Sequence, residues 1–131
     1  MILMDTCAIV WDAIKPSELT AKANQAIDAA DEHNALIISD ISIWEIAMLI
    51  QKGRLQIDVS AATLINTYLQ TRNMSVIAIS PEIADQSVKL DESINKDPAD
   101  RIIAATAIIH NARLVTADEN LLKAKSVDTL W

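Results

Sequence analysis

Asp5, Glu45, Asp100 and Asp118 are the side chains whose surroundings point to chemistry. Asp5 closes the apolar run Ile2-Leu3-Met4, and Asp118 closes Leu114-Val115-Thr116-Ala117. Open parallel sheets bind ligands at the carboxyl ends of their strands, where both acids would fall. Each also suits a plain N-cap, since Asp is a preferred residue where a strand turns into a helix. Glu45 sits in Ile41-Ser42-Ile43-Trp44-Glu45-Ile46-Ala47-Met48-Leu49-Ile50, a helix apolar on nearly every side and so expected to be buried. A buried carboxylate is costly unless it is paired, protonated or bound to metal. Lys52 and Arg54 lie seven and nine residues further on, beyond the three- or four-residue reach of a helical ion pair.

Asp97-Pro98-Ala99-Asp100 opens a second apolar helix, with Asp97 as cap and both acids favoured by the positive helix end. Four acids thus recur where strands end and apolar helices begin. If they converge, mutual repulsion would protonate them unless a cation holds them together, and hard oxygen donors select Mg²⁺ or Mn²⁺. Other reactive residue types have plainer roles. Cys7 has no evident His partner and is expected to pack as a small hydrophobe. His110 falls near a helix C-terminus, where the dipole favours it. Arg101 could contact a phosphate or pair with a neighbouring acid.

The elements that would position these acids follow from alternation. β-like runs at Met1 to Met4, Ala35 to Ser39, Ser75 to Ile79, Leu114 to Thr116 and Val127 to Leu130 are separated by helical patterns over 17–32, 41–52, 60–72, 81–91, 98–112 and 118–124. Such alternation predicts an α/β fold with a mostly parallel sheet. Ser80-Pro81 and Asp97-Pro98 each set a capping residue before a proline at the first helical position.

Composition removes several classes. A chain of 131 residues that is 51% hydrophobic fits one domain with its own core. Its single glycine, Gly53, cannot build a Walker loop or a dinucleotide fingerprint. His33 and His110 match no zinc-ligand spacing. No apolar stretch approaches the roughly 20 residues of a membrane span, and the start Met-Ile-Leu-Met-Asp shows no secretory signal. A lone cysteine, Cys7, suits a reducing cytoplasm. The net charge of −7 has the wrong sign for gripping nucleic acid by bulk electrostatics, although it becomes −3 once the four acids are neutralised by metal.

Taken in order, Met4-Asp5-Thr6, Ile43-Trp44-Glu45-Ile46, Asp97-Pro98-Ala99-Asp100-Arg101 with its apolar sequel, and Val115-Thr116-Ala117-Asp118-Glu119 resemble the PIN-domain ribonucleases, and within them the VapC-type toxins of bacterial toxin–antitoxin pairs. The resemblance runs from Leu3 to Asp118 and beyond. It implies a three-layer α/β/α fold with about five strands, and one or two Mg²⁺ or Mn²⁺ ions held by the quartet Asp5, Glu45, Asp100 and Asp118. Asp5 and Asp100 are the first choices as direct ligands. Thr6 and Thr116 fall where the family often has a supporting hydroxyl, and Asp97 ranks below Asp100 because capping explains it well. The implied reaction is hydrolysis of RNA by metal-activated water, in the cytoplasm.

Two partners are expected besides RNA. One is a small antitoxin whose tail lies over the acidic pocket, where an Arg or Lys could replace the metal. The other is a second copy of the chain, because Ile102, Ile103, Ala104, Ala105, Ala107, Ile108 and Ile109 exceed one helix face. The alternatives are a phosphatase- or receiver-like domain and a non-catalytic interaction module. The first needs a second Asp two residues after Asp5, where Cys7 stands, and does not call for Glu45.

Overall fold

In the computed structural model, which describes residues 1–131, the chain runs β1 (Ile2–Met4), α1 (Thr6–Ile14), a 3₁₀ turn (Pro16–Glu18), α2 (Ala21–Glu32), β2 (Leu36–Ser39), α3 (Asp40–Gln51), α4 (Ala61–Leu69), β3 (Met74–Ile77), α5 (Pro81–Lys89), α6 (Pro98–Ile109), β4 (Arg113–Val115), α7 (Glu119–Lys123) and β5 (Thr129–Leu130). The five strands form one sheet in the order β3-β2-β1-β4-β5, and every pairing is parallel. Sequence alternation had called for a mostly parallel sheet, and none of the pairings is antiparallel.

Pleating sends successive side chains to opposite faces, and the two cores divide accordingly. Met4, Leu36, Ile38 and Val115 point to a core shared with Ala8, Ile9, Ala23, Ile27 and Ile46 of α1, α2 and α3. Leu3, Ile37 and Leu114 point to the other, shared with Ile83, Ile103, Ala104 and Leu121 of α5, α6 and α7. The result is three layers, with the sheet buried on both sides as parallel sheets require.

Some elements depart from the expected boundaries. Helix α1 was not foreseen: Thr6, Ile9, Val10 and Ile14 are β-branched and weak helix formers, and burial of Ala8, Ile9 and Val10 outweighs that preference. The chain leaves the α region at Lys15, the residue before Pro16. Thr20 then caps α2 by accepting from the Ala23 amide, so that helix starts at Ala21 rather than at residue 17. Helix α6 stops at Ile109, and Asn111 beyond it takes the left-handed conformation with φ 50°.

Two packing expectations need correction. Helix α3 is not buried all round: only Ser42 and Ile46 are fully enclosed, and Trp44 is 56% exposed. The helix reaches both cores, with Ile41 against one and Ile43, Leu49 and Ile50 against the other, which leaves its outer side free. Conversely, α6 buries Ile103, Ala104, Ala105, Thr106 and Ala107 together. Its small alanines let α5 pack along it while its other side faces the sheet; Ile102 and Ile108 are half-buried against this core, and only Ile109 is exposed.

Candidate functional site

The chain places β2 and β3 on one side of β1, then crosses to place β4 and β5 on the other. Ligands bind at such a switch point, beyond the carboxyl ends of the strands. Asp5 follows β1 directly, with its amide donating to Val115 O across to β4 at 3.0 Å, and Asp118 follows β4. Helix α3 brings Glu45 to the same end, and the first turn of α6 brings Asp100. All four acids, together with Thr6, line one cleft of about 380 Å³.

Hydroxyl and amide donors hold each carboxylate. Asp5 is 6% exposed, and its two oxygens accept from the Thr6 amide at 2.8 Å and the Thr116 hydroxyl at 2.7 Å. Thr116 Oγ1 in turn accepts from the Asp118 amide at 3.0 Å, tying the two strand ends together. The Thr6 hydroxyl lies 2.5 Å from Glu45 Oε1 and 2.9 Å from Ser42 Oγ. With one hydrogen to give, it donates to the carboxylate and accepts from Ser42. Asp118 also caps α7, accepting from the Leu121 amide at 3.0 Å. The expected supporting roles of Thr6 and Thr116 are thus direct contacts, and capping and cleft-lining coexist in Asp5 and Asp118.

Asn95 carried no signal in the sequence. Its side-chain amide donates to Asp100 Oδ2 and Asp118 Oδ2, both at 3.2 Å, while its own oxygen accepts from Asn120 at 2.8 Å. An asparagine in a loop between helices has no periodicity or motif to mark it, and only the folded chain sets it between two carboxylates.

Crowding alters the titration of the cleft. Burial pushes the Asp5 and Glu45 carboxyls above their ordinary values, against the opposing donors Thr116 and Thr6. Asp100 is pushed up to about 7, chiefly by burial and then by the charges of Asp5, Asp97, Glu45 and Asp118. A metal-free cleft therefore holds protons at neutral pH, which a cation would displace.

The donor set suits a hard dication. Oxygens of Glu45, Asp97 and Asp100 lie within 4.8 Å of one another, and every acidic donor in the cleft is a carboxylate. Asp97 does cap α6, accepting from the Ala99 amide at 2.9 Å, yet it also belongs to this tightest cluster. Its ranking below Asp100 rested on the capping role alone, which does not exhaust what Asp97 does.

Residues given plainer roles divide similarly. Cys7 has its thiol pushed up to about 12 by burial and by Asp5, which disfavours the thiolate a nucleophile needs, and no carboxylate stands where a phosphatase would need one. The Arg101 guanidinium donates to the backbone carbonyls of Ser87, Leu90, Asp91 and Asn95, which fixes the loop before α6 rather than reaching into the cleft. His110 is the C-cap residue of α6.

Known proteins resemble this chain in sequence and fold. The chain is 36% identical over 120 residues to "Ribonuclease VapC22" of Mycobacterium tuberculosis, covering 92% of this chain and 88% of that protein. The fold matches a toxin–antitoxin complex from Klebsiella pneumoniae at TM-score 0.65 and 25% identity, over 97% of this chain and 95% of that one. It also matches VapBC2 from Rickettsia felis, solved bound to a DNA fragment from its promoter, at TM-score 0.75 and 19% identity, over 99% of this chain and 98% of that one. A PIN domain model matches residues 2–127, so with the acids gathered at the β1/β4 switch point the chain belongs to the PIN domain family.

Proposed function

We propose that this chain is a divalent-cation-dependent endoribonuclease and the toxin of a VapBC-type toxin–antitoxin pair. The observation that carries it is the single cleft lined by Asp5, Glu45, Asp100 and Asp118. Support comes from the relative named a ribonuclease and from structural neighbours described as toxin–antitoxin complexes. The whole chain acts as one nuclease domain in the cytoplasm; no helix is long and apolar enough to cross a membrane.

Mg²⁺ or Mn²⁺ in the cleft, one ion or two, would supply a water activated for attack on the phosphodiester and charge for the leaving oxygen. Asp5, Asp100, Glu45 and Asp118 are assigned as its ligands, with Asp97 close enough to Glu45 and Asp100 to join them. Thr6 and Thr116 fix the rotamers of Glu45 and Asp5, and Asn95 holds Asp100 and Asp118 apart at a set spacing. Such fixing lets the carboxylates act without reorganising, as second contacts around metal ligands commonly do. The phosphatase-like alternative loses its footing because Cys7 stands where its second acid belongs.

Two partners complete the proposal. A small antitoxin would set a basic side chain into the acid cleft in place of metal. A second copy would cover the apolar patch of Ile41, Trp44, Pro98 and Ile102 beside the cleft. Induction of this chain alone should arrest bacterial growth within about one generation, and Asp5→Asn should relieve it. Unimpeded growth despite well-expressed, folded wild-type protein would remove the toxin role, leaving nuclease activity to be judged in vitro.

A further inference from the structure

A polyanionic substrate has to approach a chain of net charge −7 and then enter a cleft of acids. Some part of the surface must offset that repulsion locally. Of the eleven basic side chains, Lys15, Arg72, Lys89 and Arg113 are paired with acids, and Arg101 is spent on backbone carbonyls. Among those left without an ion-pair partner, Lys52 and Arg54 line a groove of about 240 Å³, at whose other end stand the acids Glu45 and Asp97. That groove shares Glu45 and Leu49 with the acid cleft, so the two are neighbours.

Backbone geometry holds these two cations in place. Lys52 ends α3, Gly53 takes the left-handed conformation with φ 70°, and Arg54 follows. The Gly53 amide donates to Ile50 O at 3.0 Å and the Arg54 amide to Leu49 O at 2.9 Å, which is the double bond pattern of a Schellman cap. The only glycine in the chain therefore sits between them, turning the backbone so that both flank one groove. A helix C-terminus favours cations near its last turn, and here both also border a groove that shares Glu45 with the acid cleft. Trp44, Met48 and Leu49 form an apolar wall, which screens the cations less than open water would.

We propose that Lys52 and Arg54 are the subsite that holds a phosphate of the RNA strand next to, but not at, the bond being cut. Seven residues of helix separate Lys52 from Glu45, about 10 Å at helical rise, so the cations lie beyond the scissile group and further along the strand. Their contribution is to binding and register, and the acids do the chemistry. The inference rests on the nuclease proposal, and the test separates the two.

Cleavage of a single-stranded RNA oligonucleotide in Mn²⁺ is followed for wild type, Lys52→Ala, Arg54→Ala, the double variant, and Lys22→Ala as an exposed basic control. Affinity for the same RNA is measured on these backgrounds carrying Asp100→Asn. The double variant should raise KM and Kd roughly tenfold with kcat within about twofold, and the slope of log Kd against log salt should fall by about 0.7 per cation removed. Lys52→Arg should restore most of the binding, and Lys22→Ala should change nothing. Unchanged KM, Kd and salt slope in the double variant overturn the subsite while an active wild type leaves the nuclease intact. A shift of the double variant's sedimentation relative to wild type overturns it as well, by making the groove an interface between copies. A wild type that neither cleaves nor binds RNA overturns both proposals.

Discussion

Asp100 is the residue where the cost and use of the cleft meet. Its carboxyl, pushed up to about 7 by burial and four neighbouring acids, is most comfortable protonated. A folded-state value above the unfolded one near 3.9 means that the folded chain binds the extra proton between those limits. Stability from this proton is fully present below about pH 4 and is lost as pH rises through about 7. With chelator present, the melting temperature should therefore fall from pH 5 to pH 8. Asp100→Asn should make that fall shallower and leave the metal-free variant more stable than wild type at pH 8. An unchanged pH slope in Asp100→Asn would mean that this carboxyl is not crowded. Excess Mn²⁺ should restore the wild type at pH 8 and do much less for the variant. The quartet could be picked out in the sequence because Asp5 and Asp118 close apolar runs, Glu45 interrupts one and Asp100 stands where one opens. Asn95 and Ser42 could not, since an amide in a loop and a hydroxyl on a helix are ordinary residues until the fold aims them.

Among the elements, α1, α2 and the end of α4 meet around Arg72. Its guanidinium grips Asp12 through Nε at 2.7 Å and Nη2 at 2.8 Å and reaches Asp28 and Asp31 at 3.0 Å, while Tyr68 donates to Asp12 at 2.6 Å. The Asp12 side chain is 5% exposed and the Arg72 side chain 17%. Removing the cation would leave a buried carboxylate uncompensated, so Arg72→Ala should destabilise the fold by about 3 kcal/mol, read as a lower denaturation midpoint. Loss of less than about 0.5 kcal/mol would show the network to be no better than a surface ion pair. This junction also shows where sequence patterning falls short. Helix α1 is built from residues better suited to strands and is held by packing, whereas α5 and α6 are announced by Ser80-Pro81 and Asp97-Pro98 and begin at the expected residues. Strand order depends on contacts between distant segments, and alternation foretold only that the sheet would be mostly parallel.

For the molecule as a whole, net charge and apolar surface pull in instructive directions. The acids that make the chain unsuited to bulk attraction of RNA are concentrated in part at the carboxyl ends of the inner strands β1 and β4, where a dication can neutralise them. The apolar excess of α6, which first suggested a second copy, is mostly consumed by the core: Ile109 stays exposed, and half-buried Ile102 joins Trp44 of α3 in the patch beside the cleft. Composition could not distinguish these two destinations, because it does not say which alanines face a neighbouring helix. What composition and motif order did convey was one acidic centre on an α/β scaffold. That centre is tested most directly by RNA cleavage with purified wild type and Asp100→Asn, each with Mn²⁺ and with chelator. Wild type should cut only when metal is present, and Asp100→Asn should be slower by about 100-fold or more, the scale of losing a group that stabilises transition-state charge. Equal cleavage by the two proteins, or cleavage by wild type that chelation leaves untouched, would contradict the acidic centre.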